Sequence, residues 1–585
     1  MRWVLPLLLL FAAAACSDPT PPPPSLDEAR AALARGDGLG AEIVLRQLLE
    51  TGTPREDLAA WLGEAELEQG QLVEARRWLG EGTFSPDSAG VGFHMLGRLE
   101  MREGNLPAAG QAFDRALQAS PDDPELWVDI GRLRYRGGEQ IQAVEASEKA
   151  VALGPENPAA LQFHAQILRD SHGMEAALPW FERALDHNPD NLDLLGDYAA
   201  TLGELGRAKE MLTIVRRMTA LDPGNPQALW LEAVLAARAG DYDLARRLLQ
   251  LTDDAHRESP AGQLLSGVID MRSGNYASAS QTFDGLLDAQ PDNRRVRLLL
   301  ARALALDGSH RELVFRFGDV ALRPSSPPYL TLLVGQGYEA LGERDKAAQY
   351  LDRAATPRGG ELVAVPGTVP LAVVELRGVD RGSDALSLVR GLIVAGQPGA
   401  ASAKAEAFQK KYPGSADALG LAGDALLASR QIGPAIALYQ RSAGVRRPWP
   451  LARRMVAAYR AAGRGQEAAW LLSEQLAGDP ANVEAAATLG RIAFEAKDMQ
   501  RAELLLDHAI ANGGTSDPDL LALRAQVALA QGDVDTARNF AGRAYRLQPM
   551  KLAVVESYRD ALAARLDGKE EARQLAAKAK ALAAR

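Results

Sequence analysis

The chain has 585 residues with 65 basic and 76 acidic side chains, a net charge of −11. A single core seldom grows to that length, so several domains or a repeat array is expected, and the acidic balance excludes a general nucleic-acid binder, which needs a basic surface to release counterions. Hydrophobic residues make up 47% but aromatics only 5%, so Ala and Leu must fill the interior, as suits close-packed helices.

At the N-terminus Arg2 precedes an apolar run from Trp3 to Phe11 and the small residues Ala12 to Ala15. This pattern reads as a secretory signal peptide over 1–15, too short for a mature membrane span. The single cysteine, Cys16, follows directly. Ala13-Ala14-Ala15-Cys16 resembles the lipobox of bacterial lipoproteins, with Ala13 where Leu is usual. The resemblance implies cleavage before Cys16, lipidation of its thiol and attachment to a membrane; the alternative is a plain secretory cut that leaves a free thiol. One cysteine also excludes an internal disulfide framework. Residues 16–25, with Pro21 to Pro24, form an extended linker. Ser17, rather than an acidic residue, follows the cysteine; by resemblance to enterobacterial lipoproteins this implies the outer membrane, with the body in the periplasm.

From residue 26 the chain is periodic. Glycines stand at 36, 70, 104, 138, 206, 240, 274, 308 and 342, every step being 34 residues or a multiple of it. The missed slot is His172, beside Gly173. Pro121, Pro155, Pro189, Pro223 and Pro291 keep the same interval. Between Gly92 and Pro121 the apolar residues fit two helices joined at Gly104-Asn105, with Ala109, Phe113 and Ala116 on one face of the second. The small residues Gly97, Gly131, Ala165 and Ala199 recur late in the first helix, and Ala109, Ala143 and Ala177 recur early in the second. Met211 and Leu313 replace that alanine in two units, where more open packing is expected.

This combination resembles the tetratricopeptide repeat. The resemblance implies an all-α, right-handed superhelical α-solenoid of about fifteen antiparallel helix hairpins. The interval slips between Gly342 and Gly396. That slip separates an N-terminal solenoid (26–355) from a C-terminal one (385–549) by an irregular insertion (356–384), a plain connector or a docking loop. Two Val-rich runs in it, Glu361 to Val365 and Leu371 to Leu376, read as short extended segments. Residues 550–585, rich in Ala, Lys, Arg and Glu, read as capping helices with a polar face.

No nucleotide loop, catalytic triad motif or metal-ligand spacing is present, so no enzyme, no cofactor and no metal site is expected. Arg98 and Arg102 share a helix face, and Arg132 and Arg136 repeat them one period later. In tetratricopeptide proteins the first helix of each hairpin lines the ligand groove. The resemblance therefore implies a basic ladder of Arg98, Arg102, Arg132 and Arg136 that grips an anionic partner through bidentate guanidinium contacts. The alternative is pairing with neighbours such as Glu100 and Glu103. The implied function is a scaffold or adaptor binding envelope proteins or an anionic polymer, similar to lipoproteins of exopolysaccharide export and exosortase-associated systems; the alternative is a regulator of a cell-wall synthase or hydrolase.

Overall fold

Most hairpin turns are made by a glycine in the left-handed region. In a computed structural model describing residues 24–584 except 292, 324–325, 356–370, 378–381 and 481, Gly104 has φ +81° and Asn105 N–H donates to the Glu100 carbonyl at 2.8 Å. That bond closes the helix Ala89–Arg102 and releases the chain into Leu106–Ala119. The same closure recurs at Gly70, Gly138, Gly206, Gly240, Gly274, Gly308 and Gly532, whose φ lies between +74° and +85°. Only a residue without Cβ takes this conformation at no cost, which is why the glycine interval marks the turns.

Two later slots are filled otherwise: Arg430 and Lys497 sit at φ 60° and 61°. An L-residue held there costs roughly 1 kcal/mol. Replacing Arg430 or Lys497 by glycine is therefore expected to stabilise the fold or leave it unchanged, whereas Gly104→Ala lowers stability by about 1 kcal/mol; thermal melts of the three variants compare the signs directly.

The prolines act with a residue the periodicity alone did not bring forward. Asn157, Asn191, Asn225 and Asn293 each follow a repeat proline by two positions. Each accepts a hydrogen bond on its side-chain oxygen from the backbone N–H three residues on, at 2.9 to 3.1 Å. Proline ends one hairpin and asparagine caps the next, satisfying a donor that helix geometry leaves open.

Within each of two compact units, the chain up to Leu133 and the chain from Arg134 onward, most of the 34 α-helices of the described residues pack as successive antiparallel hairpins. In several hairpins the small residue late in the first helix faces a bulky residue sixteen positions later. A Cβ built on Gly267 would lie 2.5 Å from Phe283, and one on Gly423 2.6 Å from Tyr439. Gly97 stands in the same relation to Phe113, as does Gly63 to Leu79. Met211 and Leu313 do not open the packing. They are as buried as the alanines they replace, and the space comes from opposing glycines: Gly203 faces the Met211 sulfur, and Gly337 faces Leu313.

In the second unit, Leu371–Arg377 is a helix, not the extended segment its valines suggest. Val374 is fully buried in the cluster of Leu388 and Leu392. Burial on a helical face outweighs an intrinsic preference worth about 1 kcal/mol at most. The run 361–365 lies outside the described residues, as do the signal peptide and Cys16. At the C-terminus Leu552–Ala563 and Lys569–Ala583 form two helices, the last burying Ala572, Leu575 and Ala579 and exposing most of its charged residues.

Candidate partner-binding surfaces

In the first unit the residue after the small packing position carries charge in successive hairpins: Arg30, Glu64, Arg98 and Arg132. Packing dictates the small residue, while its neighbour is exposed at Arg30 and half-buried at Glu64, Arg98 and Arg132. Arg98 and Arg132 converge on one carboxylate. Arg132 Nη1 lies 3.2 Å from Asp129 Oδ1, and Arg98 Nε lies 3.6 Å from Asp129 Oδ2, while Glu68 is 3.6 Å from Arg98 Nη2. His94 Nε2 is 2.9 Å from Asp129 Oδ2. Burial opposes charge on Asp129, but the His94 hydrogen bond and the charges of His94, Arg98 and Arg132 together hold its carboxyl below the ordinary range.

The acidic neighbours that the sequence offered to these arginines are engaged elsewhere, since Glu100 and Glu103 both pair with Arg76. Arg102 turns away from the Asp129 cluster, and its Nη1 donates to the Leu67 carbonyl at 2.5 Å. It thereby adds a second donor to a carbonyl at the end of Arg55–Glu68 that already accepts from Gly70 N–H, tying one hairpin to the next. Arg238 does the same for the Gly203 carbonyl. Arg136 is exposed and belongs to the second unit. In the next hairpin Gln166 and Asp170 hold the matching places; Gln166 donates to Asp197 at 2.7 Å and Asp170 accepts from the Tyr135 hydroxyl at 2.5 Å.

Glu64 is the one acid of this row. Burial pushes its carboxyl up to about 7, with Glu68 adding to the effect and Arg98 opposing it, and its Oε2 is buried without a hydrogen-bond partner. A carboxyl raised in the folded state contributes stability that is fully present below its unfolded value and is lost as pH climbs through the folded one. Relative to Glu64→Gln, the protein is therefore expected to lose stability between about pH 4.5 and about 7, by no more than about 3 kcal/mol. Melting temperatures of both forms across that range measure it, and parallel curves would contradict it.

The second unit closes on itself. Ile141 N–H donates to the Gly414 carbonyl at 3.2 Å, and Ala416 N–H donates to Gln140 Oε1 at 2.9 Å. Further along, Arg447 N–H donates to the Asp170 carbonyl at 2.9 Å, and the Arg446 guanidinium faces Tyr135 and Asp170. Gly173 and Gly478 meet so closely that a Cβ on Gly173 would lie 3.2 Å from the Gly478 Cα. A cavity of about 280 Å³ lies in this seam, lined among others by Arg169, Asp170, Glu204, Arg447 and Glu474. Nothing local in the sequence signalled the seam except the off-beat Gly173.

Among the described residues no cluster of His, Cys, Asp and Glu is arranged to hold a metal ion, and no helix is long and apolar enough to cross a membrane.

The tetratricopeptide repeat models match residues 26–88, 94–158, 194–260, 264–327 and 386–451, and a second of the same description matches 459–527. The chain belongs to the tetratricopeptide repeat family. Tetratricopeptide proteins are in general non-catalytic scaffolds that bind protein partners. Solved structures similar to the chain include a tetratricopeptide repeat protein from Parabacteroides merdae, at 18% identity over 46% of this chain and 98% of its own, TM-score 0.30. Another is Cut9–Hcn1 of the APC/C, at 13% identity over 92% and 95%, TM-score 0.26. PilF of Pseudomonas aeruginosa is similar at 17% identity over 37% and 99%, TM-score 0.32. No curated protein matches the sequence.

Proposed function

We propose that the chain is a non-enzymatic adaptor lipoprotein, anchored through Cys16 to the outer membrane on its periplasmic side, that holds envelope proteins or an anionic polymer against its first-helix faces. The observation that carries the adaptor reading is the contrast between two neighbouring rows. The packing row is uniformly small, at Gly63, Gly97 and Gly131, while the next row changes chemistry from Glu64 to Arg98 and Arg132. Packing does not demand that variation, whereas recognition of a particular partner does. The arginines gathered around Asp129 supply planar donors for an anionic group. Ala13-Ala14-Ala15-Cys16 supports the anchor.

Two measurements test the parts separately. Cys16→Ser is expected to move the protein from the membrane fraction to the soluble one; unchanged fractionation rejects the anchor. Partners captured by the full chain are expected to bind Arg98→Gln/Arg132→Gln more weakly and with a shallower salt dependence. Exopolysaccharide-export components among them favour the adaptor, peptidoglycan enzymes the regulator. Arg102 is left intact in this test, because its bond to Leu67 makes it part of the fold.

A further inference from the structure

Neighbouring hairpins along the chain are joined by shared apolar clusters, whereas the seam in the second unit is joined differently. The apolar cluster around Phe181 and that around Tyr439 share no residue. Across the seam stand backbone donors, the side chains of Gln140 and Gln142, a glycine-on-glycine contact and the Arg446 guanidinium. A contact of this kind lets the groups on both sides return to water with little apolar surface exposed, so closed and open forms lie close in free energy.

We propose that this seam is a latch: the loop Gly444 to Pro448 closes the second unit by docking on Asp170 and Tyr135, and its release opens the unit. The docked loop has its own support. Arg447 Nη1 lies 2.7 Å from Glu474, and Arg446 Nη2 lies 3.0 Å from Asp417, which hold the backbone so that Arg447 N–H reaches the Asp170 carbonyl. Gly173 and Gly478 are the second closure point, because a Cβ at either would lie only 3.2 to 3.3 Å from the other's Cα, leaving no room for a large side chain. Asp170 holds the place in its hairpin that Arg102 holds in an earlier one. The latch therefore occupies part of the first-helix row, and its release frees that part for a partner. The device stands on contacts within the second unit and is independent of the anchor at Cys16.

The test uses the full chain with Cys16→Ser, which leaves no other thiol. Gln142→Cys/Gly414→Cys, at positions where a Cβ on 414 would lie against the Gln142 side chain across the seam, is expected to form a disulfide under mild oxidation with an unchanged circular dichroism spectrum. Trypsin is expected to cut after Arg446 slowly at low salt, at least about tenfold faster in Gly478→Leu, and faster in the parent protein as salt screens the Arg446 contacts. The disulfide-locked form is expected to resist cutting at both salt concentrations. Small-angle scattering should give a larger radius of gyration for Gly478→Leu than for the locked form. The proposal is overturned if the disulfide does not form, or if cleavage and radius of gyration are the same in the parent, Gly478→Leu and locked proteins.

Discussion

Asp424→Ala is expected to destabilise the second unit by about 3–5 kcal/mol, the cost of leaving buried charge without its counterion. The Asp424 side chain has no exposed surface, and Arg390 and Arg454 beside it are 13% and 9% exposed. Arg454 Nε lies 2.5 Å and Arg390 Nε 3.2 Å from the carboxylate, while the Tyr439 hydroxyl donates to it at 2.8 Å. Burial pulls the Arg390 guanidinium below its ordinary range against the attraction of Asp424, and it pushes the Tyr439 hydroxyl well above its own. Both directions say that desolvation here rivals the ion pairing. A further expectation separates charge from packing. Replacing Arg390 and Arg454 by Met together with Asp424 by Leu removes all three charges of this cluster and should recover most of the loss, because buried ion pairs seldom outperform apolar residues of similar volume. Chemical denaturation of the single and triple variants decides the matter. A single variant within about 1 kcal/mol of the parent would mean that water reaches the arginines.

Phe113→Ala is expected to cost about 3–5 kcal/mol in the first unit. The ring is 1% exposed and fills the space left by the missing side chain of Gly97. Gly97→Leu alone should cost up to about 3 kcal/mol, since its Cβ would overlap that ring. The two together exchange volume across one contact, and Gly63 opposite Leu79 shows that an aliphatic residue also serves at the bulky place. The double variant is therefore expected to be more stable than the sum of the single losses predicts, by at least about 1 kcal/mol. Strict additivity in urea melts would show that the pair does not set the spacing of its hairpin.

Much of the arrangement was legible because it is local and repeated. A turn glycine acts on its own φ, a capping asparagine on the N–H three residues away, and a small residue on the side chain sixteen positions later. The Asp129 cluster was partly legible: Arg98 and Arg132 stood out, but their shared carboxylate lies on the intervening packing face and His94 carried no local pattern. Asp424, Arg390 and Arg454 gave no signal, since single charged residues on separate helices look like surface residues until the helices are stacked. Leu371–Arg377 misled for the same reason: its valines speak for a strand, and only contact with Leu388 and Leu392 makes it a helix.

The amino-acid sequence alone thus determined the hairpin, its length and its family, because those rest on interactions spanning one repeat and restated along the chain. Tertiary structure alone decided which charges meet, that Met211 and Leu313 pack tightly, and that Asp170 touches Arg447. The contact of Asp170 with Arg447 depends on small rotations accumulated over many hairpins, which no single repeat encodes, while the others depend on how side chains of adjacent helices face one another once stacked.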